Sequence, residues 1–177
     1  SIAYFGGYDP FYTRVRTTLK GLKKNNIEVF ECQSIVYPRL LRLFILAIKY
    51  LRIADRVQLL MVSEGGQIYV FLAKVLATMT RKPLLFDAFL SHYQVKVVDT
   101  KSVSPNSLAG KYYYYLDKIS CQLADLVVLD TVEHINYFCK TFNLPISKFV
   151  SLPVGSDDEI FRPSFREDKK VNSDFVV

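Results

Sequence analysis

The sequence predicts an α/β protein built around a doubly wound, mostly parallel β-sheet. Short, continuously apolar segments such as VQLLMV at 57–62 and LVVL at 126–129 are typical of strands that are buried on both faces. Longer amphipathic segments separate them, as helices do when they connect parallel strands. Because such crossover connections are right-handed, the alternation indicates a Rossmann-like sheet that is covered by helices on both faces.

The strands are predicted from apolar runs that end at an interrupting residue. Gly6-Gly7 stops the first run, Gly65-Gly66 the third, and Asp87 the fourth, which begins after Pro83. On this basis the strands lie at 2–5, 27–32, 57–62, 84–86, 126–129 and 149–152.

The helices are predicted from apolar residues that recur at helical spacing between the strands. Asn25-Asn26 ends the first helix, and Pro38 opens the second, since proline is tolerated in a first turn. On this basis the helices lie at 10–25, 38–56, 67–80, 108–123 and 131–142.

Two segments interrupt the regular alternation. Residues 92–107 are polar and weakly periodic, which predicts a long functional or mobile loop. The charged stretch SDDEIFRPSFREDKK after Gly155 is typical of a linker. We therefore predict a Rossmann-like domain over 1–155, a linker over 156–170 and the start of a further, truncated domain over 171–177.

The charge balance leaves several classes of partner open. The 177 residues carry a formal net charge of +6, and 23% of them are charged, as in an ordinary globular protein. A basic surface fits nucleic acid, anionic lipid or a phosphorylated substrate equally well. The basic residues are dispersed over several helices and do not interleave with aromatic residues, which disfavours a nucleic-acid-binding module.

The three cysteines, Cys32, Cys121 and Cys139, have no CxxC spacing and do not combine with the two histidines in a zinc pattern. We therefore expect reduced thiols in a cytoplasmic protein, without a metal site or a bound cofactor. No secretory signal is expected, because Ser1 leads directly into an apolar strand.

The candidate site consists of residues that follow the predicted strands, because doubly wound sheets bind ligands beyond the carboxyl ends of their strands. One histidine in the loop after the fourth strand, His92, joins them as a candidate acid, base or hydrogen-bond donor, and it can equally be a solvated side chain. The remaining candidates are Gly6, Gly7, Tyr8, Ser63, Glu64, Asp87, Asp130 and Thr131.

The pair Gly6-Gly7 has two interpretations. Glycines between a strand and a helix let the backbone approach an anionic ligand closely, and they also form tight turns without any ligand. The pair belongs neither to GxGxxG nor to GxxxxGK[ST], which argues against a dehydrogenase-type dinucleotide fold and against a P-loop. No Ser-His-Asp order, HExxH or nucleophile elbow appears elsewhere, and His134 and the tyrosine run 112–115 are interpreted as structural.

The second predicted helix carries a basic stripe and a very wide apolar remainder. Arg42, Lys49 and Arg52 fall on one side at about 100° per residue. The helix has too many charges to span a membrane. Two roles stay open: a crossover helix packed on the sheet, and a helix whose Arg42, Lys49 and Arg52 face an anionic membrane surface.

The segment FVSLPVGSDDEIFRP at 149–163 resembles the "IPNGVD…F.P" segment that leads from the first to the second domain of family-4 glycosyltransferases. Val154 replaces the usual Asn, and Ser156 the usual hydrophobic residue. TRVRTTLKGLKKNNIEVFEC is similar to the family's first helix and "G.EV" strand, and LADLVVLDT to its "AD.VI..S" strand. The resemblance covers essentially all of 1–163, and the linker match rests on Pro153, Gly155, Asp157, Phe161 and Pro163.

The resemblance implies a GT-B fold, in which two Rossmann-like domains face a cleft and this chain is the N-terminal, acceptor-side domain. It implies metal-independent and retaining transfer of a hexose from a nucleotide sugar to a glycan or lipid-linked acceptor. Gly6 and Gly7 match the glycine turn near the donor diphosphate, and His92 corresponds to the family's histidine at the cleft. The basic helix is similar to helices that dock related enzymes to the inner membrane face.

Two other classes of protein are also compatible with the sequence. The chain can be a stand-alone acceptor- or lipid-binding subunit that works with a separate donor-binding catalytic partner. It can also be a fragment of a nicotinamide-dependent dehydrogenase, which the missing glycine fingerprint disfavours.

Overall fold

The computed structural model describes residues 1–35 and 38–156, which form a single six-stranded sheet in which every described strand pairing is parallel. The predicted doubly wound Rossmann-like sheet is therefore confirmed. In chain order the strands are β1 (Ile2–Gly6), β2 (Val29–Gln33), β3 (Leu59–Val62), β4 (Leu84–Asp87), β5 (Leu126–Leu129) and β6 (Phe149–Ser151).

Five α-helices connect the described strands, close to where the apolar periodicity places them. The first starts later than predicted, because Asp9 forms a turn by accepting hydrogen bonds from the backbone N–H groups of Phe11 and Tyr12. The second ends at Leu51, and a short 3-10 turn, Ala54–Arg56, replaces its predicted last residues. The helices are α1 (Thr13–Lys24), α2 (Arg39–Leu51), α3 (Gln67–Thr80), α4 (Leu108–Leu123) and α5 (Val132–Phe142).

The two faces of the sheet are covered unequally. Helices α2 to α5 pack on one face around a large core, whereas α1 packs on the other face around a small one. This follows from the strand order, because only the β1 to β2 connection runs in the opposite direction along the sheet. The large core contains the buried aromatic rings of Phe5, Tyr50, Phe86, Phe138 and Phe142.

The expectation of an irregular loop over 92–107 is partly wrong. Residues Gln94–Asp99 form a π-helical turn, in which Val97 is buried. The turn is fixed by the carboxylate of Asp117 on α4, which accepts hydrogen bonds from the Ser91 hydroxyl at 2.7 Å and from the Tyr93 backbone N–H at 2.8 Å. These contacts span 26 and 24 residues, so local periodicity carries no signal of them.

The strand order β2-β1-β3-β4-β5-β6 creates a switch point between β1 and β3. The chain leaves the carboxyl ends of these neighbouring strands toward opposite faces of the sheet, and a crevice opens between the two connections. Gly6 at the end of β1 and Ser63 after β3 mark this position.

One buried ion pair attaches α1 to the sheet. Arg14 in the first turn of α1 is 5% exposed, and Asp87 at the end of β4 is fully buried. The guanidinium Nη2 lies 2.7 Å from Asp87 Oδ1, and Nε donates to both carboxylate oxygens at 3.1 and 3.0 Å. Burial raises the pKa of Asp87, and the hydrogen bonds and charge of Arg14 oppose that rise.

The predicted linker and the start of a further domain lie outside the described residues, apart from Ser156. The same holds for Asp157, Phe161 and Pro163 of the family-like motif. The first residues of that motif are described: Gly155 packs near Thr17 of α1, with 3.7 Å from the Thr17 methyl group to the place of an added Cβ.

We predict that Asp87→Asn lowers the free energy of unfolding by about 3 kcal/mol, because it leaves the Arg14 charge buried without a counter-charge. Urea denaturation at pH 7 measures the change. The control is Lys74→Met, which removes a partially exposed ion pair with Asp125 (N–O distance 2.8 Å) and is expected to cost less than about 1 kcal/mol. Equal losses in the two variants would contradict a special role for the Arg14–Asp87 pair.

Candidate functional site

A cavity of about 460 Å³ opens at the carboxyl edge of the sheet, on the face that carries α2 to α4. It brings together two of the predicted site residues, Gly7 and His92, from the ends of different strands. The first turns of α2 and α3 and the N-terminal half of α4 supply the other walls. Besides Gly7 and His92, the lining residues are Arg39, Arg42, Leu43, Gly65, Ile68, Tyr69, Tyr112, Tyr113 and Leu116.

The glycine turn after β1 has no room for side chains. Gly6 has φ of +149°, and a Cβ there would lie 2.6 Å from Ser63 Oγ. A Cβ on Gly7 would collide with the hydroxyl group of Tyr69. The turn is therefore required by packing against β3 and α3. It also brings the backbone of Gly7 to the cavity wall, so both interpretations of the glycine pair are compatible with the structure.

Arg42 and Tyr69 connect α2 to α3 at the cavity. Arg42 Nη1 donates to the Tyr69 hydroxyl at 2.7 Å, and Nη2 donates to the carbonyl of Ile35 at 3.1 Å. These bonds hold a guanidinium at the cavity wall, beside Gly7. Neither α2 nor α3 has a side-chain N-cap or an acidic residue in its first turn. The positive ends of both helix dipoles therefore add to the charge of Arg42.

His92 is positioned by its sequence neighbours. The residues on either side, Ser91 and Tyr93, are held by the buried carboxylate of Asp117. The His92 ring lies 6.2 Å from the ring of Tyr113, measured between centroids, and both rings line the cavity. A partly buried imidazole in this place can donate or accept a hydrogen bond to a bound ligand.

The cavity is cationic at one side and apolar at another. Arg39 and Arg42 contribute guanidinium groups, and no carboxylate lines it within residues 1–35 and 38–156. Leu43, Ile68 and Leu116 supply the apolar surface. Arginine side chains bind phosphate oxygens in a bidentate manner, so this lining suits a phosphorylated ligand better than a cationic one.

A separate group of titratable side chains lies at the same edge on the α1 side. Burial, followed by the charge of Asp87, raises the pKa of Glu64 from its ordinary value of 4.5 to about 7. In the described part of the chain, Glu64 Oε2 and the Tyr4 hydroxyl are buried without a hydrogen-bond partner. A carboxyl group with this pKa can gain or lose a proton near neutral pH.

The predicted cleft residue Tyr8 belongs to this α1-side group. Its side chain is 5% exposed, its ring packs edge-on against Tyr4 at 4.9 Å, and its hydroxyl donates to Glu31 at 3.4 Å. Asp87 also lies on this side, fully buried beneath Arg14. Neither residue lines the cavity, so the predicted cleft residues divide between the two faces of the sheet.

Asp130 and Thr131 follow β5, as predicted, and position α5. Thr131 caps this helix by accepting a hydrogen bond from the His134 backbone N–H at 3.1 Å. His134 Nδ1 lies 2.8 Å from Asp130 Oδ1, and Nε2 lies 3.1 Å from Gln94 Oε1. Burial would raise the pKa of Asp130, but His134 lowers it below its ordinary value. Both ring nitrogens of His134 are thus engaged, in agreement with its structural interpretation.

The three basic residues predicted to face a membrane lie in different surroundings. Arg42 lines the cavity, and Lys49 Nζ donates to the carbonyl of Gln33 at 2.6 Å. Arg52, at the end of α2, is exposed. The outward surface of α2 also exposes the apolar side chains of Leu40, Leu41, Phe44 and Leu51.

Most residues of the cavity wall were not predicted as site residues from the sequence. Arg39 carries a recognisable signal, because it follows Pro38 at the start of a helix, where the chain leaves β2. Tyr69 carries a weaker one, three residues after Gly66 at the start of α3. Arg14 and Asp117 have no recognisable signal in the sequence, because their hydrogen-bond partners lie 73 and 26 residues away.

The structure is similar to that of Alr3699/HepE from Anabaena. The crystal structure of that protein in complex with UDP and glucose matches with a TM-score of 0.53 and 14% identity, over 90% of this chain and 45% of that one. A second crystal structure, in complex with UDP, matches with a TM-score of 0.50 and 15% identity over the same shares. The chain thus spans about half the length of the structures it matches.

At such low identity the likeness establishes the fold, and it confirms the predicted Rossmann-like domain of the GT-B kind. No protein-family model and no curated protein sequence matches the chain.

We predict that Glu64→Gln changes the pH dependence of stability in a defined window. The folded protein holds the Glu64 proton more tightly than the unfolded chain does, so the wild type loses stability as the pH rises from about 4.5 to about 7. Glutamine cannot ionise. The stability of the variant relative to the wild type should therefore increase as the pH rises through that window. Above about pH 7 the difference in unfolding free energy should stay constant.

Urea denaturation at pH 4, 5.5, 7 and 8.5 measures this difference. The control, Glu28→Gln, changes an exposed carboxylate and should follow the wild type at each pH. A Glu64→Gln curve parallel to the wild-type curve from pH 4 to 8.5 would rule out the raised pKa.

Proposed function

We propose that this chain is the acceptor-side half of a GT-B glycosyltransferase similar to family 4. The complete enzyme moves a hexose from a nucleotide sugar to a glycan or lipid-linked acceptor. The observation that carries this proposal is the cation-lined cavity at the switch point of the sheet, in a fold like that of a protein whose crystal structure contains UDP and glucose. Ligands of such sheets bind at this position.

The proposal assigns roles to the residues that meet at the cavity. Gly6 and Gly7 form the turn that lies against the donor diphosphate, and His92 contacts the reacting sugar from the acceptor side. The chemistry is metal-independent and retains the anomeric configuration, as in the family that the sequence resembles. Support for these roles comes from the presence of Gly7 and His92 in the lining of one cavity.

The first test is a donor screen with the full-length protein, measuring nucleoside diphosphate release and sugar transfer with uridine, guanosine and adenosine diphosphate sugars. We expect one donor class to be used, and His92→Ala to lower turnover by about 100-fold while the protein stays folded. Lys140→Ala, an exposed substitution on α5, is the control. If no nucleotide sugar binds or reacts, the enzyme proposal fails.

An alternative function is a stand-alone acceptor- or lipid-binding subunit that needs a separate catalytic partner. One observation favours lipid as a ligand in either case: the outward faces of α2, α3 and α4 expose large apolar side chains. We name this surface the three-helix face. Its apolar members are Leu40, Leu41, Phe44, Leu51, Ile68, Phe71, Val75, Met79, Leu108, Tyr112 and Tyr115.

The charges of the three-helix face match an anionic membrane. Helices α2 and α3 contain no Asp or Glu, and the Asp117 of α4 is buried. Lysine and arginine residues are present on all three helices, and the one on α3, Lys74, is paired with Asp125. Apolar side chains among cations are typical of surfaces that bind anionic lipid headgroups. We propose that the enzyme acts in the cytoplasm, at the inner face of the membrane. No described helix is long and apolar enough to span a bilayer.

We predict that the full-length protein floats with vesicles that contain phosphatidylglycerol, and that Phe44→Glu lowers the bound fraction at least fivefold. The control is Ile146→Glu, which introduces the same charge at a side chain of equal exposure, 64% against 63%, away from the three-helix face. Absence of flotation at low salt, or equal losses in both variants, would exclude this membrane surface.

A further inference from the structure

We propose that the cavity binds the phosphate or diphosphate head group of a lipid-linked acceptor, whose hydrocarbon chain lies along α3. This inference rests on the proposed function, in that the bound lipid is the acceptor of the transferred sugar. It names the acceptor class, which the fold alone leaves open. Three features of the described residues support it: the charge of the lining, the continuity of the apolar surface and the volume of the cavity.

The lining provides the recognition of a phosphate group. Arg39 and Arg42 belong to the first turn of α2 and face the same cavity as His92. The hydrogen bond from Arg42 to Tyr69 fixes one guanidinium in place before a ligand binds. Because no carboxylate lines the cavity among the described residues, these charges favour an anion there.

The apolar surface continues from the cavity along α3. Ile68 lines the cavity and is also 39% exposed on the outside of the helix. Phe71, Val75 and Met79 follow it on the same side, and all three are exposed. The spacing of three, four and four residues forms one stripe, about 16 Å long at 1.5 Å per residue.

A phosphorylated head and an apolar chain would be bound simultaneously by this arrangement. A free phosphate or a nucleotide makes no use of the stripe, since neither has a hydrocarbon chain. The three-helix face contains the stripe, so a lipid that remains in the bilayer can place its head group in the cavity while its chain lies along α3. The cavity volume of about 460 Å³ is in the range of pockets that take small organic ligands.

The test measures binding to the full-length protein by isothermal titration calorimetry with three probes: farnesyl diphosphate, inorganic pyrophosphate and UDP. Farnesyl diphosphate should bind at least tenfold more tightly than pyrophosphate, because only the former contacts Ile68 and Phe71. Arg39→Gln should weaken farnesyl diphosphate at least tenfold and leave UDP unchanged. Phe71→Gln should weaken farnesyl diphosphate and leave pyrophosphate unchanged.

The matched control is Arg52→Gln, an exposed arginine at the opposite end of α2, which should alter none of the three affinities. Equal affinities for farnesyl diphosphate and pyrophosphate would overturn the proposal. So would an Arg39→Gln variant that loses UDP as strongly as farnesyl diphosphate, because Arg39 would then bind the donor and not the lipid head group. A third outcome is that farnesyl diphosphate binding depends on Arg39 but the protein uses no nucleotide sugar. This outcome would support the lipid site and overturn the proposed transferase function.

Discussion

The architecture of the carboxyl edge depends on the close approach of the β1 turn to α3. Side chains at Gly6 and Gly7 would meet the hydroxyl groups of Ser63 and Tyr69, so the two elements pack backbone against side chain. This approach brings Tyr69 to the place where Arg42 can bond to it, and the bond in turn joins α2 to α3. The position of the cavity therefore depends on the sheet topology, on the Gly6-Gly7 turn and on the hydrogen bond between Arg42 and Tyr69.

The sheet separates two kinds of charge at this edge. On the α1 side the carboxylates of Asp87 and Glu64 lie near each other, and Arg14 donates hydrogen bonds to Asp87. The cavity on the opposite side is lined by arginines without carboxylates among the described residues. Burial and the negative charge of Asp87 raise the pKa of Glu64, and the charge of Arg14 opposes this rise only in part. The carboxylates on the α1 side and the arginines of the cavity can therefore contact different ligands.

Sequence pattern predicted the sheet and its helices because their signal is local. The bounds of α3, α4 and β5 coincide with the predicted 67–80, 108–123 and 126–129, where apolar periodicity and interrupting residues agree. The site was predicted less well. Gly7 and His92 were found because they follow strands, but Arg14 and Asp117 act on partners distant in sequence. The π-helical turn depends on Asp117 in the same way, and no spacing along the chain encodes such a contact.

The outward surface of α2, α3 and α4 is not required by the fold. Four large apolar side chains are exposed on α2, four on α3 and three on α4, whereas α1 exposes none and α5 one, Val132. The cores are complete without them, since the inward stripes of the same helices are buried. The crossover direction places these three helices side by side, so their outward residues form one surface that reaches the cationic cavity at its edge. A ligand that is both anionic and apolar is the one class that would contact the whole of this surface at once.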